Sequence, residues 1–354
     1  MIKPINYQKV AVEDMLRKID FCIEEGEKEY LFQAPTGSGK TTTTGILFEE
    51  YMKKHKNLNV GIIWISPGKG DLAGQSKRSM ESNFNYFNSI TLQDVINQGE
   101  IKNRDVVFIN WESINKKDNV SIREGEKTNI YDVLENSNLD KFIIFVDESH
   151  ESRNSIKANE LLNEFNADIV VDITATPRKD RVYTRFNTTK VDINDVIAEE
   201  FIKNQIIINE DVESLDLESI LKSSLDKRDE IEVEYRKVEP NCKTPLLLIQ
   251  IENDRQIDTE KGKMPRATYI KNKLLSLGVE DSKIGIWVSN KKECQNLDNI
   301  KESDVEVLIF KSAIATGYDI DRAHVLTRLR ELKSEIFGLQ VLGRILSSRN
   351  RVST

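Results

Sequence analysis

The chain has 354 residues, of which 38% are apolar and 31% charged, which is enough for two ordinary globular domains. Its net charge of −8 lacks the basic excess of many nucleic-acid-binding proteins, although an acidic protein can hold a locally basic groove. No apolar run approaches the roughly 18 residues of a membrane span. The three cysteines are widely spaced and form no C-x-x-C pair, which argues against a disulfide framework or a zinc site. This cysteine usage predicts a cytoplasmic location.

The first half of the chain alternates apolar, β-branched runs with stretches of helical spacing. A short strand over 29–33 leads into a glycine-rich loop, and residues 42–52 then carry Ile46, Leu47 and Tyr51 at helical spacing. Four more buried strands are predicted over 60–65, 105–109, 142–146 and 168–173. Continuous apolar strands separated by helices are typical of a parallel sheet.

The second half begins with a change of composition. Residues 206–240 are rich in Glu, Asp, Lys and Leu, with apolar side chains on one helical face, and predict a charged helical connector. A second strand-rich unit follows, with predicted strands over 245–251, 283–288 and 305–310. We therefore predict an α/β fold with two tandem domains, over 1–205 and 241–354.

The glycine-rich loop fits the P-loop pattern G-x-x-x-x-G-K-T over 34–41, with Ala34 in the first position. Gly37 and Gly39 allow backbone conformations that a Cβ would strain, and the loop amides can then surround a phosphate. We expect Lys40 to contact the β- and γ-phosphates and Thr41 to bind Mg²⁺. The alternative is a simple turn before a helix. The predicted nucleotide-binding residues of the loop are Thr36, Gly37, Ser38, Gly39, Lys40 and Thr41.

An acidic pair follows the strand predicted over 142–146, in the run Asp147-Glu148-Ser149-His150. At the carboxyl end of a buried strand, Asp147 can hold Mg²⁺ through water, and Glu148 can act as the general base that activates an attacking water. Acidic pairs at strand ends are common on protein surfaces. Together with a P-loop, however, this pair predicts ATP hydrolysis that drives another process.

Three shorter patterns lie further along the chain. Thr174-Ala-Thr-Pro177 directly follows a predicted strand, and its hydroxyls can link the nucleotide site to a second domain, although alone it is also an unremarkable turn. Residues 315–319 follow the strand over 305–310. Gln340 and Arg344 lie on a predicted helix, from which an arginine can stabilise the charge on a transferring phosphoryl group. A solvated surface charge is the alternative for Arg344.

In this order, the motifs resemble those of superfamily 2 helicases over nearly the whole chain. The matching segments are Tyr7-Gln8 upstream, 34–41 (motif I), 64–75 (Ia), 147–150 (II, a DEAH-like box), 174–176 (III), 247–250 (IV), 315–319 (V) and 340–344 (VI). Within the superfamily, the sequence most resembles the restriction (Res) subunit of type III restriction–modification enzymes, on residues 107–112, 313–326 and 328–340.

The resemblance implies two tandem RecA-like (P-loop NTPase) domains with mainly parallel sheets, which bind ATP and Mg²⁺ between them. It also implies double-stranded DNA and a methyltransferase and specificity (Mod) subunit as partners, and no membrane. The implied roles are adenine binding for Tyr7 and Gln8, metal binding for Thr41 and Asp147, catalysis for Glu148, Gln340 and Arg344, coupling for His150, Thr174, Thr176, Gly317 and Asp319, and DNA contact for Ser66, Lys69, Trp111 and Thr316.

Two departures from the family pattern affect the expected activity. Many relatives carry a second arginine seven residues after the motif VI glutamine, where this chain has Ser347. Either Arg349 or Arg351 substitutes for it, or turnover is impaired. The sequence also stops at Thr354, which leaves no room for the C-terminal nuclease domain of the family. We therefore expect no endonuclease activity from this chain alone, and a truncated or frame-shifted Res subunit is one hypothesis.

Three functions remain open from the sequence. The first is the DNA-dependent ATPase and translocating motor of a type III restriction enzyme. The second is a free-standing superfamily 2 helicase that acts on DNA or RNA. The third is a nucleotide-binding remnant without productive turnover, which Ser347 and the short tail favour and which the complete motifs I and II disfavour.

Overall fold

The computed structural model divides the chain into two compact units, Met1–Glu199 and Glu200–Thr354. The structure describes residues 3–67, 72–114, 130–153, 156–178, 181–203, 216–252, 255–259, 262–288, 291–292, 300, 303–311, 320 and 322–329. Within these ranges, none of the helices combines the length and apolarity needed to cross a bilayer.

The first unit is an α/β domain around one parallel sheet. Its strands are β1 (Glu29–Gln33), β2 (Val60–Ser66), β3 (Asn88–Thr91), β4 (Asp105–Asn110), β5 (Lys141–Asp147), β6 (Ile169–Thr174) and β7 (Thr188–Lys190). Its helices are α1 (Asn6–Glu24), α2 (Lys40–Lys54), α3 (Leu72–Asn83), α4 (Leu92–Gln98), α5 (Trp111–Ile114), α6 (Ile130–Asn136), α7 (Ser149–Ser152), α8 (Ile156–Glu164) and α9 (Ile193–Ala198). The strand order is β3-β4-β2-β5-β6-β1-β7, and every described pair is parallel.

The central strands are buried because helices cover both faces of the sheet. All seven residues of β2 are buried, and alternate side chains point to opposite faces. On one face, Ile63 and Ile65 pack with apolar residues of β4, β5 and α8. On the other, Trp64 and Phe145 contact Phe48 of α2, with ring centroids 6.1 and 4.7 Å from that of Phe48. The predicted parallel α/β sheet is therefore confirmed.

The second unit holds a smaller sheet. Its strands are β8 (Leu246–Ile251), β9 (Gln256–Thr259), β10 (Gly262–Pro265), β11 (Ile284–Val288), β12 (Lys291–Lys292), β13 (Val307–Phe310) and β14 (Ala323–Leu329), and its helices are α10 (Leu217–Val238) and α11 (Arg266–Ser276). The sheet order is β12-β11-β13-β8-β14, in which only β12 pairs in the antiparallel sense among the described strands. Strands β9 and β10 form a separate antiparallel hairpin. The two parallel sheets confirm the predicted tandem arrangement of RecA-like α/β domains.

Helix α10 packs within the second unit, which differs from the predicted connector over 206–240. Its apolar face, with Leu221 and Leu225, is buried against β8 and against Ile270 of α11. On the same helix, Arg228 is paired with Glu306. An apolar helical stripe needs a partner surface, and the second sheet supplies it. Residues 206–215 of the predicted connector lie outside the described residues.

His324 of β14 makes the stability of the second unit depend on pH. Its ring is partly buried, 4.8 Å from the ring of Tyr235. Burial lowers the pKa of His324 to about 3, and the charge of Lys203 acts in the same direction. An unfolded histidine has a pKa of about 6.5. Below that pH the unfolded state binds more protons than the folded state, so stability is lost as the pH falls from about 6.5 towards 3.

We expect the second unit to lose between about 1 and 2 kcal/mol of unfolding free energy between pH 7 and pH 5 through this histidine, the smaller figure allowing for partial solvation of the ring. Urea denaturation at both pH values, followed by tryptophan fluorescence, to which Trp287 of the second unit contributes, measures the loss. The His324→Gln variant keeps every other titrating group and should lose correspondingly less. Equal losses in both proteins would contradict the assignment.

Candidate active site

The P-loop connects β1 to the first turn of α2. Gly37 and Gly39 have φ angles of 82° and 74°, in the left-handed region that glycine adopts at low cost. Gly39 is the N-cap of α2 and offers no side-chain cap. The first amides of α2 therefore have no side-chain acceptor at the N-cap, and the positive end of the helix dipole lies there as well. This combination is typical of a phosphate-binding site.

The P-loop lysine lies beside the acidic pair. Lys40 is 9% exposed, and its Nζ is 3.9 Å from Oε1 of Glu148. The two segments are distant in sequence but close in space, because only β6 separates β5 from β1 in the sheet. The carboxyl ends of these parallel strands consequently meet at one edge, where a phosphate chain could contact both motifs.

The acidic pair is held in an uncommon conformation. Asp147 ends β5 and is 9% exposed, and its Oδ1 accepts a hydrogen bond from the backbone N–H of Glu148 at 3.1 Å. Glu148 has φ 45° and ψ 50°, which is the left-handed region and costs free energy for a residue with a Cβ. Strain of this kind is concentrated at functional sites, where the surrounding contacts maintain it.

A buried hydrogen bond joins the acidic segment to the end of β6. Nδ1 of His150 is 2.8 Å from Oγ1 of Thr174, which in turn accepts from the backbone N–H of Thr176 at 3.0 Å. Burial lowers the pKa of His150, although the nearby carboxylates of Glu148 and Glu151 oppose this effect. His150 is thus neutral near pH 7, and a proton on Nδ1 lets it donate to Thr174. The three predicted coupling residues His150, Thr174 and Thr176 form one connected group.

The start of α1 reaches the P-loop. The hydroxyl of Tyr7 donates a buried hydrogen bond to the carbonyl oxygen of Ser38 at 2.7 Å. Gln8 is 2% exposed, and its Oε1 accepts from the backbone N–H of Ile5. Three buried atoms around the loop have no hydrogen-bond partner in the described part of the chain, namely Gln8 Nε2, Ser38 Oγ and Thr176 Oγ1. Buried polar groups are nearly always satisfied, so these orphaned atoms fit a polar ligand.

The family model for the type III restriction enzyme, res subunit, matches residues 1–179, which include every site residue described above. The chain belongs to the type III Res-subunit family. This family places the chain among the superfamily 2 helicase ATPases, which bind ATP with Mg²⁺. A search of curated proteins gave no significant match.

The solved structures of LlaBIII and MrfA agree with this fold. The type ISP restriction–modification enzyme LlaBIII, solved bound to DNA, is similar over 99% of this chain and 27% of its own, with 14% identity and a TM-score of 0.61. The DUF1998 helicase MrfA, also solved bound to DNA, is similar over 96% of this chain and 44% of its own, with 14% identity and a TM-score of 0.57. The Dbp5 helicase of S. cerevisiae, bound to RNA and ADP BeF3, has 15% identity and a TM-score of 0.49 over 97% of this chain and 80% of its own. The Res-family chain thus spans less than half the length of the first two proteins.

The candidate donors for Mg²⁺ in this Res-family chain are oxygen atoms. Thr41 lies in the first turn of α2, and the carboxylate of Asp147 ends β5. Among the described residues there is no group of three or more His, Cys, Asp or Glu that could hold a metal by itself. One hydroxyl and one carboxylate fit Mg²⁺, which usually takes few protein ligands and completes its shell with water and substrate phosphates.

Two of the predicted DNA-contacting side chains, those of Ser66 and Trp111, are buried. Ser66 is fully buried, and its Oγ accepts a hydrogen bond from Nε1 of Trp64 at 2.8 Å. Trp111 is 6% exposed and packs in the core of the first unit. This burial does not support a side-chain contact with nucleic acid for either residue. The other predicted site residues Lys69, Thr316, Gly317, Asp319, Gln340 and Arg344 lie outside the described residues.

A cavity beside Tyr7 has no counterpart among the sequence-based predictions. It has a volume of about 430 Å³ and lies between α1, β7 and α9, where Val10, Asp14, Arg17 and Lys190 also line it. Strand β7 has three residues, two of them threonine, so neither length nor apolar pattern indicated it. Since Tyr7 contacts the P-loop, the cavity adjoins the phosphate-binding edge of the sheet.

Proposed function

We propose that this chain is a DNA-stimulated ATPase, the motor part of a type III restriction subunit that works with a methyltransferase and specificity subunit. The observation that carries the proposal is the approach of Lys40 to Glu148, at 3.9 Å, across the edge where β1 and β5 end. This approach combines a phosphate-binding amine with a candidate general base in one buried site. The family match over residues 1–179 supports the same reaction class.

The proposed reaction is hydrolysis of the γ-phosphate of ATP. The P-loop amides and Lys40 hold the phosphate oxygens, and Glu148 orients a water molecule and accepts its proton. The water oxygen forms a bond to the γ-phosphorus, while the bond from that phosphorus to the β–γ bridging oxygen breaks. The bridging oxygen keeps the electron pair, and the products are ADP and inorganic phosphate. Bound Mg²⁺, held by Thr41 and Asp147, would neutralise phosphate charge.

Tyr7 and Gln8 are proposed to recognise the adenine. The Tyr7–Ser38 hydrogen bond ties this part of α1 to the P-loop, and the buried Nε2 of Gln8 offers a donor for a ring nitrogen of the base. A donor that is buried without a partner costs free energy, which a bound base would recover. We propose that the connected group of His150, Thr174 and Thr176 couples the presence or loss of the γ-phosphate to movement of the chain along DNA.

Duplex DNA is the nucleic acid that we propose the chain binds and moves along. The support is that LlaBIII and MrfA, which share the fold, were both solved bound to DNA. Because Ser66 and Trp111 are buried, we place the contacts of the first unit on backbone groups at the carboxyl ends of β2 and β4. The roles proposed for Gln340, Arg344, Thr316, Gly317 and Asp319 rest on the family resemblance.

The test is ATP hydrolysis by the purified chain alone, with duplex DNA and with single-stranded RNA. We expect duplex DNA to raise the turnover number several-fold. Lys40→Ala, which removes the phosphate-binding amine, should lower hydrolysis by at least about a hundredfold. Hydrolysis no faster than that of Lys40→Ala would overturn the ATPase proposal. Stimulation by RNA and not by DNA would instead support a free-standing helicase.

A further inference from the structure

A buried arginine directly follows the helix of the DEAH-like box. Arg153 is 2% exposed and is the C-cap of α7. Its Nη1 donates to Oδ1 of Asp172 at 2.9 Å, and its Nη2 donates to Oε1 of Glu29, also at 2.9 Å. Its Nε donates to Oδ1 of Asn159 at 3.1 Å. The guanidinium thus donates hydrogen bonds to three different side chains.

The partners of Arg153 lie on the two strands that lead to the catalytic loops. Asp172 is in β6, two residues before Thr174, and Glu29 is the first residue of β1, which runs into the P-loop. On α7, His150 lies one helical turn before Arg153 and bonds to Thr174. Helix α7 is therefore attached to β6 at two successive same-face positions, and Arg153 extends the attachment to β1.

Burying these charged side chains costs more free energy than filling the same space with apolar side chains. Burying a guanidinium and a carboxylate carries a desolvation penalty that apolar side chains of similar volume avoid. In return, the ion pair fixes geometry, because the planar guanidinium sets both the distance and the orientation of the carboxylates that it bonds. The second oxygen of Asp172 also accepts from the hydroxyl of Tyr183, and Glu29 is also paired with Arg181. The network therefore holds Arg153 in one position.

Helix α7 needs such support. It has four residues, far fewer than an isolated helix needs to be stable. Its N-cap is Glu148, the residue with φ 45° whose left-handed conformation is unfavourable by itself. Among the described side chains, His150 near the start of this short helix and Arg153 at its end both bond to β6.

We propose that Arg153 is a positioning residue for ATP hydrolysis. It fixes α7 against β6 and β1 and thereby holds the Glu148 carboxylate at the P-loop edge, in the geometry needed to orient water. This role rests on the proposed ATPase function, since it concerns the placement of the general base. Arg153 does not contact the nucleotide itself, so its loss should slow turnover without weakening nucleotide binding.

The test compares variants of matched charge in the full chain. Arg153→Met alone leaves Asp172 buried without its cation and is expected to destabilise the fold. The double variant Arg153→Met with Asp172→Asn removes both charges, and the amide oxygen introduced by the second substitution can still accept from Tyr183. Its thermal midpoint should therefore return close to that of the wild type. We expect kcat for ATP to stay lowered about tenfold or more in the double variant. The Kd for a fluorescent ATP analogue should stay within about twofold of the wild type, because Lys40 and the loop amides are unchanged.

Arg181→Met is the matched control. It removes the arginine that shares Glu29 with Arg153 but does not belong to α7. Since Arg153 keeps its own bonds to Asp172, Glu29 and Asn159, kcat should fall by no more than about twofold. If kcat of the double variant recovers together with its thermal midpoint, Arg153 is structural only and the inference is overturned while the ATPase function stands. Absence of hydrolysis by the wild type would overturn the proposed function first, and this role with it.

Discussion

Glu148→Gln is expected to lower the turnover of ATP by about a hundredfold or more and to leave nucleotide binding intact. Glutamine keeps the size of the side chain, but its amide cannot accept the proton of the attacking water. The P-loop glycines, the first amides of α2 and Lys40 are unchanged by the substitution. The neutral glutamine does not compete with phosphate for the Lys40 ammonium group, so the attraction of Lys40 to the nucleotide is not weakened.

Steady-state phosphate release and equilibrium binding of a fluorescent ATP analogue separate the two effects. Glu151→Gln, which removes a carboxylate from the same short helix, is the matched control and should hydrolyse ATP within about twofold of the wild type. A Glu148→Gln protein with wild-type turnover would show that another group accepts the proton. A protein that no longer binds the analogue would show that Glu148 acts on binding instead.

Phe48→Ala is expected to lower the unfolding free energy of the first unit by about 3–5 kcal/mol. Phe48 is fully buried in α2, and its ring centroid lies 6.1 Å from Trp64, 5.8 Å from Phe87 and 4.7 Å from Phe145. Truncation removes the apolar contacts of one ring with three others and leaves a cavity that this dense packing cannot close. The effect also reaches function, since α2 begins at Lys40.

Urea denaturation followed by tryptophan fluorescence gives the loss directly. Phe48→Leu keeps most of the volume and should cost about 1–2 kcal/mol. Similar values for the alanine and leucine variants would indicate that the site collapses around the smaller side chain. A loss below about 1 kcal/mol for alanine would contradict the packing described for this face of the sheet.

Local pattern was enough to predict the main strands and the catalytic loops. The strand predicted over 60–65 is β2, and that over 142–146 lies within β5, because continuous apolar runs indicate strands buried on both faces. The loop over 34–39 was predictable because phosphate binding restricts its composition to a short, ordered string. Lys40 and Glu148 could be expected to meet, since parallel strands end at a common edge.

Features that depend on long-range pairing could not be predicted. Strand β7 has three mostly polar residues and is defined only by its pairing with β1. The strand β14 and the packing of α10 depend in the same way on β8. Ser66 illustrates a different limit, because the family resemblance implied a contact with DNA, whereas the hydroxyl bonds to Trp64 two residues earlier. Arg153 carried no local signal at all, since a single arginine is usually solvated.

The position of β6 between β5 and β1 makes one residue a reporter for the site. The carbonyl oxygen of Thr174 accepts from the backbone N–H of Ala34 at 3.2 Å, while its hydroxyl bonds to His150. The amide proton of Ala34 is therefore protected only while the P-loop strand and the end of β6 stay together. The hydrogen-exchange rate of this amide therefore reports how often the site opens during ATP turnover, without any substitution in the protein.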